Sequence, residues 1–427
     1  MEKKDYFNKA RELLHRFKGD SYLYGRGILS KAGEIALSIG KKAVLIRGTF
    51  NGSDSYVEII RKSLSESSIE FVGQFKGARP NSPKEDLFRI TEEIKNARPD
   101  VVISFGGGST IDATKAAIVL HNLNGKIDDY FGTNRVTQEL EKTVQLLTPH
   151  IAIQTLAGSA SHLTKYSNVT DMSTAQKKLI VDDAVIPDFP IFDYEVTYNT
   201  PPDITIDGAM DGIAHSLEVL YGSVGKPVYN KVEEITEACI SLIIKYLPAA
   251  LENPDNKEAR EALCLATDLG GYAIMIGGTN GGHLSSYSLV DILPHGRACA
   301  IMNPYYTIFF APAIEKPLRL ISKIYKQAGL IKSNIENLEG KDLGVSVAEA
   351  MFEFAKKIGL PTRLDEINGF NEGHIERALK AAKNPQLKMK LQNMPIPLTS
   401  EMVDEYMQPI LEAGANGDIS LIKNIPV

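Results

Sequence analysis

Short apolar runs alternate with amphipathic stretches through the first half of the chain. Lys42–Ile46 (Lys-Ala-Val-Leu-Ile) is one such run and ends in Arg47-Gly48. Val101–Phe105 is a second, ending in three glycines, and Ile151–Ile153 is a third. Between the first two, Val57–Leu64 and Asp86–Ala97 carry apolar residues in a helical pattern. Strands alternating with helices predict a parallel sheet covered by helices.

The pattern changes near Asp193. Val232, Ile235, Cys239, Leu242 and Tyr246 recur at three and four residues, one face of a helix. Glu252–Asn256 is a polar breaker, and Ala259–Ile276 reads as a long, largely apolar helix. Ser346–Lys357 and His374–Ala382 are further amphipathic helices. The pattern therefore predicts an α/β domain over residues 1–195 and an all-helical domain over residues 196–427, with the boundary in Asp193–Thr200. A chain of 427 residues is long enough for two such cores.

Composition narrows the function. The formal net charge is −6, with no clustered basic surface of the kind a nucleic-acid partner requires. Cys239, Cys264 and Cys299 sit in apolar surroundings and read as reduced core thiols. The charged N-terminus has no apolar signal region, and no run of about 18 apolar residues suggests a membrane span. A cytoplasmic protein is the expectation.

Gly106-Gly107-Gly108-Ser109-Thr110-Ile111-Asp112 follows a strand and opens a helix. Glycines let a pyrophosphate approach the backbone, and a helix N-terminus offers free N–H groups. The spacing also fits an ordinary strand-to-helix turn, with Ser109 and Asp112 as an N-terminal cap. At the end of the earlier strand stands Arg47-Gly48-Thr49, where an acidic residue would bind an adenosine ribose 2′-OH. An arginine beside a glycine suits a 2′-phosphate, or is simply solvated.

Of the eight histidines, three fall within one stretch of about 80 residues in the second half. Asp211 and His215 stand four residues apart and share a helix face. His283 follows Asn280-Gly-Gly, and His295 lies in Pro294-His-Gly296. One carboxylate with three imidazoles suits zinc or ferrous iron, although each histidine alone also fits a packed core.

These residues, in this order, resemble the iron-containing alcohol dehydrogenases, within the dehydroquinate synthase-like fold. The resemblance runs from Tyr22-Leu-Tyr-Gly-Arg-Gly27 to about Met402. It includes the glycine turn, the threonine-rich segment Thr155-Leu-Ala-Gly-Ser-Ala-Ser161, and Met210-Asp-Gly-Ile-Ala-His-Ser-Leu-Glu218. The resemblance implies an N-terminal dinucleotide-binding domain and a site in the cleft between the domains. It implies Asp211, His215, His283 and His295 as ligands of Fe2+, with Zn2+ as the second choice. It implies Gly107, Gly108, Ser109, Asp112, Thr155, Ser159 and Lys178 around the nicotinamide dinucleotide. Gly48 falls where NAD-preferring members often carry an acidic residue, so with Arg47 it favours NADP(H) over NAD(H).

Three departures stand out. Tyr287 replaces a second histidine four residues after the third ligand and is a candidate proton donor. His162 replaces a glutamate, and the segment between His283 and His295 is shorter than usual. The expected activity is hydride transfer between NAD(P)(H) and a small alcohol, aldehyde or ketone, in a homo-oligomer, a dimer by resemblance. Two alternatives remain: a hydroxyacid-oxoacid-type transhydrogenase with captive cofactor, and a dehydroquinate synthase-like lyase, which would need phosphate-binding basic residues and a glutamate ligand.

Overall fold

The structure is a computed structural model that describes residues 5–426. Two compact units are present, one spanning Leu14–Pro201 and the other beginning at Pro202 and including the N-terminal residues up to Leu13. In the first lie β1 (Leu23–Gly25), β2 (Lys42–Arg47), β3 (Glu70–Lys76), β4 (Val101–Gly106), β5 (Gly132–Thr133), β6 (His150–Gln154), β7 (Tyr166–Asp171), β8 (Gln176–Val181) and β9 (Phe189–Asp193).

Among the described residues, six of these form a sheet in the order β1-β9-β6-β4-β2-β3, with every pairing parallel. β4 and β6 are buried along their whole length, as expected of strands covered on both faces. Val44, Ile46 and Val102 pack on one side with Ile90, Ile94, Ala113 and Ala117 of the helices Lys84–Ala97 and Gly108–Leu123. Ala43, Leu45 and Ile103 pack on the other side with Val57, Ile60 and Leu64 of the helix Ser53–Glu66. That two-faced burial explains why these runs are continuously apolar.

The chain leaves β2 toward β3 on one side and β4 toward β6 on the other. The sheet therefore has its switch point between β2 and β4, where ligands bind in open α/β sheets. The register pairs Arg47 with Phe105 and Gly106 with Gln154. Gly48, the three glycines and Thr155 consequently emerge side by side at one sheet edge.

A second, three-stranded sheet has the order β5-β8-β7, with β7 and β8 antiparallel. Sequence patterning does not show it, because Tyr166–Asp171 and Gln176–Val181 are short and largely polar. β3 is missed for a related reason: it lies at the sheet edge and is only partly buried.

From Pro202 onward the described residues contain helices and no strand. Val232, Ile235, Cys239, Leu242 and Tyr246 are all buried, on the helix Tyr229–Glu252. The three cysteines are buried and form no disulfide. No helix among the described residues is long and apolar enough to cross a membrane. The units divide after Pro201 rather than after residue 195, because Tyr194–Thr197 forms a turn whose Val196 packs into the sheet core. The chain's first helical residues belong with the helical unit: the Tyr6 hydroxyl donates to Glu237, and the Phe7 ring lies edge-on to Tyr246 at 5.3 Å.

Within the α/β unit, the buried Lys115 donates to the carbonyls of Ser161 (2.6 Å), Thr164 (2.7 Å) and Tyr166 (2.8 Å). Burial pulls its pKa down to about 7, against the opposing pull of Asp112. Lys115→Met leaves three buried acceptors unpaired and is expected to cost roughly 3 kcal/mol, read from the urea unfolding midpoint. An unchanged midpoint would show that water replaces the ammonium without loss.

Candidate metal centre and cofactor turn

The helix Pro202–Gly222 carries Asp211 and His215 one turn apart, each only 5% exposed. His283 lies in the short helix Gly281–Ser286, and His295 opens the helix His295–Phe310. Asp211 Oδ1 stands 3.6 Å from His215 Nε2, 3.6 Å from His283 Nε2 and 3.7 Å from His295 Nε2. The structure thus brings together all four residues that the resemblance implies as ligands.

The arrangement fits a cation. Ligand atoms about 2.1 Å from a tetrahedral ion stand roughly 3.4 Å apart. Asp211 Oδ1 and His283 Nε2 are buried and have no hydrogen-bond partner. Burial pulls His215 down to about 4, so it is neutral and keeps a lone pair near neutral pH.

Two outer groups fix the rings. The Glu218 carboxylate lies with Oε1 2.8 Å from His283 Nδ1, and its Oε2 accepts from the Asn280 N–H at 2.6 Å. Burial alone would raise the Glu218 pKa, but His283, Asn280 and Lys390 hold it below its usual value. Ser286 Oγ stands 2.9 Å from His295 Nδ1. With Nδ1 engaged, each ring turns Nε2 toward Asp211, the outer-shell orientation common at metal-binding histidines.

Neither Glu218 nor Ser286 had a role in the sequence reading. A signal for Glu218 existed: it follows Asp211 by seven residues and so shares its helix face. Cys299, one turn after His295, reads from the sequence only as a core thiol. Its Sγ and one ligand atom from each of Asp211, His283 and His295 all lie within 4.8 Å of one another. The glycines beside the ligands are sterically required. A Cβ on Gly296 would meet Asp207 O at 1.9 Å, and one on Gly282 would meet Asn303 Oδ1 at 2.5 Å and Glu218 Oε1 at 2.7 Å.

Tyr287 is buried beside this cluster, its ring stacked on His295 with centroids 5.9 Å apart. The Lys390 ammonium lies 5.4 Å from the centre of the same ring.

In the α/β unit, the glycine turn leads into the helix Gly108–Leu123 with Gly107 as N-cap and no side-chain cap. The cap expected from Ser109 and Asp112 does not form. Asp112 Oδ1 accepts from Ser161 Oγ, and Oδ2 accepts from the Asn168 backbone N–H and from Asn168 Nδ2, both at 2.9 Å. Tertiary partners win over the local one, and the first-turn amides are left without a side-chain acceptor.

Thr155 and Ser159 do reach the turn. The Thr155 N–H donates to Gly106 O at 3.2 Å, and a Cβ on Gly108 would meet Ser159 Oγ at 2.4 Å. A Cβ on Gly107 would meet Leu156 Cδ2 at 2.7 Å. Gly48 donates its N–H to Phe105 O, and a Cβ there would stand at an ordinary 3.5 Å from Gly106 Cα.

Two expectations need correction. Arg47 is not a free cation: its guanidinium pairs with Asp54, donates to Ser53 Oγ and donates through Nε to Gly48 O at 3.2 Å. Lys178 is engaged by Asp128, with Nζ at 2.7 Å, and lies over the Phe131 ring. Its buried neighbour Lys177 lies on the other face of β8, with Leu179. Leu179 pairs with Asn168, the residue bonded to Asp112.

Comparison with known proteins bears on both halves. Residues 20–194 match the family profile described as iron-containing alcohol dehydrogenase, and residues 205–411 match the profile described as the Fe-containing alcohol dehydrogenase family, C-terminal. The chain belongs to the iron-containing alcohol dehydrogenase family. As a member it is an oxidoreductase acting on alcohols, which displaces the lyase alternative.

This alcohol dehydrogenase is 29% identical over 364 residues to the NAD-dependent methanol dehydrogenase of Bacillus methanolicus, covering 84% of this chain and 90% of that one. It is 29% identical to the NADPH-dependent butanol dehydrogenase of Clostridium saccharobutylicum, covering 80% and 84%. The solved alcohol dehydrogenase from Oenococcus oeni has the same fold, with a TM-score of 0.78 at 24% identity, covering 92% of this chain and 97% of that one.

Glu218→Gln removes the negative charge that orients His283. Cation affinity is expected to fall about 10- to 100-fold, measured by competition with a chelator. Unchanged affinity would show that the Asn280 turn alone holds the ring.

Proposed function

We propose that this enzyme transfers hydride between a nicotinamide dinucleotide and a small alcohol or its aldehyde, at a divalent cation held by Asp211, His215, His283 and His295. The observation that carries the reading is the convergence of three imidazole nitrogens on the buried, unpartnered Asp211 Oδ1. Nitrogen-rich donors with one carboxylate suit ferrous iron first, given the family, and zinc second.

When bound, the cation supplies Lewis-acid polarisation of the substrate oxygen, and the nicotinamide supplies or takes the hydride. The protein's part is to hold and orient. Glu218 and Ser286 keep the His283 and His295 imidazoles aimed at Asp211. The uncapped amides of Gly108 and Ser109 receive the pyrophosphate. Thr155 and Ser159 line the dinucleotide beside that turn, and Lys177 takes the place expected of Lys178. Asp112 acts indirectly, by tying the helix to Ser161 and Asn168. The Tyr287 hydroxyl, on the ring against His295, carries the proton to or from the substrate oxygen.

For the dinucleotide we favour NADP(H), on Gly48 more than on Arg47. The absence of a side chain at Gly48 leaves space and removes the carboxylate that would repel a 2′-phosphate. Arg47 is already paired with the 91% exposed Asp54, so a phosphate competes with that carboxylate for the guanidinium. The named relatives include both an NAD-dependent and an NADPH-dependent enzyme.

The test is loss of NADPH absorbance by anaerobic, ferrous-reconstituted protein with a panel of short aldehydes. His295→Ala is expected to lose metal content and turnover together, and turnover surviving without metal would overturn the site. Gly48→Asp is expected to lower the NADPH-to-NADH ratio of kcat/KM by at least about tenfold, because a carboxylate would face the 2′-phosphate. An unchanged ratio would place the adenosine ribose elsewhere.

A further inference from the structure

Lys390 is 1% exposed, in the short helix Lys388–Gln392. Lysine is almost never fully buried unless its charge has a partner. Its Nζ donates to Thr279 Oγ1. The position is a built one. A Cβ on Gly278 would meet Asn393 Nδ2 at 1.9 Å, and Asn393 Nδ2 donates to Thr279 O at 3.1 Å. The Thr279 segment and the Lys390 helix are therefore held in close approach.

From there Lys390 reaches the ligand cluster by two routes. One runs across the Tyr287 ring, which stacks on His295. The other runs from Thr279 to its neighbour Asn280, whose N–H binds the Glu218 carboxylate behind His283. The groups whose charge acts on His215 are Asp211, His283, Glu218 and Lys390. Lys390 acts on Glu218 as well. Asp207, one turn before Asp211, is matched by a two-pronged bond from Arg297 at 2.9 and 3.1 Å, so that pair cancels itself.

Two carboxylates, Asp211 and Glu218, thus serve a cluster built for a dication. Together they offset its charge, and an offset charge polarises a substrate oxygen weakly.

We infer that Lys390 sets the charge of the metal centre: its buried ammonium counters Glu218, loosening the hold on the cation and strengthening the polarisation of the substrate oxygen. This rests on the metal reading given above. Lys390 acts through the field and through Tyr287. Burial lowers its pKa to about 8, with Glu218 and Cys299 acting against that, so the ammonium persists at neutral pH.

The test is Zn2+ affinity, by chelator competition, of the wild type and of Lys390→Met, Lys390→Gln and Lys390→Arg. The neutral variants are expected to bind Zn2+ about tenfold more tightly or better, with lower kcat when loaded. The arginine variant is expected to keep wild-type affinity. A damaged fold weakens binding, so tightening separates lost charge from lost packing. Equal or weaker binding by the Met and Gln variants overturns the inference, as does tightening by the Arg variant. A wild type that binds no Zn2+ or Fe2+ overturns the metal reading itself and this inference with it.

Discussion

Three imidazole nitrogens and one carboxylate oxygen converge at a site buried except on the His295 side, and the rest of the helical unit is arranged around that fact. A buried acceptor without a donor costs about 1–3 kcal/mol, and more when charged. Asp211 Oδ1 and His283 Nε2 are in that condition, and their neighbours aim lone pairs at the same point. A bound cation turns the cost into affinity. Holding the groups there requires backbones closer than side chains allow, hence Gly282 and Gly296. It also requires fixed tautomers, hence Glu218 and Ser286.

The α/β unit solves a different problem with the same economy of side chains. Its sheet brings the ends of β2, β4 and β6 together, and glycines occupy the positions where those ends meet. The absence of a cap on the helix Gly108–Leu123 leaves its N-terminal amides for an anion, while Asp112, the residue that could have capped it, braces the neighbouring segment. Lys115 braces the same segment through three carbonyls, so the helix behind the turn also shapes the loop in front of it.

How much of this could be read from the sequence follows physical lines. Buried parallel strands such as Val101–Gly106 announce themselves because both faces are covered. The small sheet of β5, β7 and β8 does not, since short polar strands look like loops. Asp211 and His215 are legible as a helical i, i+4 pair, and His295 through its glycine. Lys178 shows the limit of carrying a role over by resemblance: a shift of one position in a strand reverses the face, and the buried lysine is Lys177. Arg47 shows another, since Asp54 and Ser53 are close in sequence but their engagement depends on how the turn folds. Lys390 carries no local signal, and its meaning comes from helices that meet only in three dimensions.

Tyr287 and Lys390 belong together in that light. The position usually held by a second histidine is Tyr287, and the group over its face is the Lys390 ammonium. An aromatic ring attracts a cation to its face, and the attraction grows when both are desolvated. An imidazole there would add another nitrogen beside the cluster, and any proton it took would repel the ammonium. Tyrosine instead offers a neutral ring to both the ammonium and the His295 imidazole. The outcome is a ligand cluster beside a neutral ring that also carries a buried ammonium, so that charge lies where it acts on the substrate oxygen.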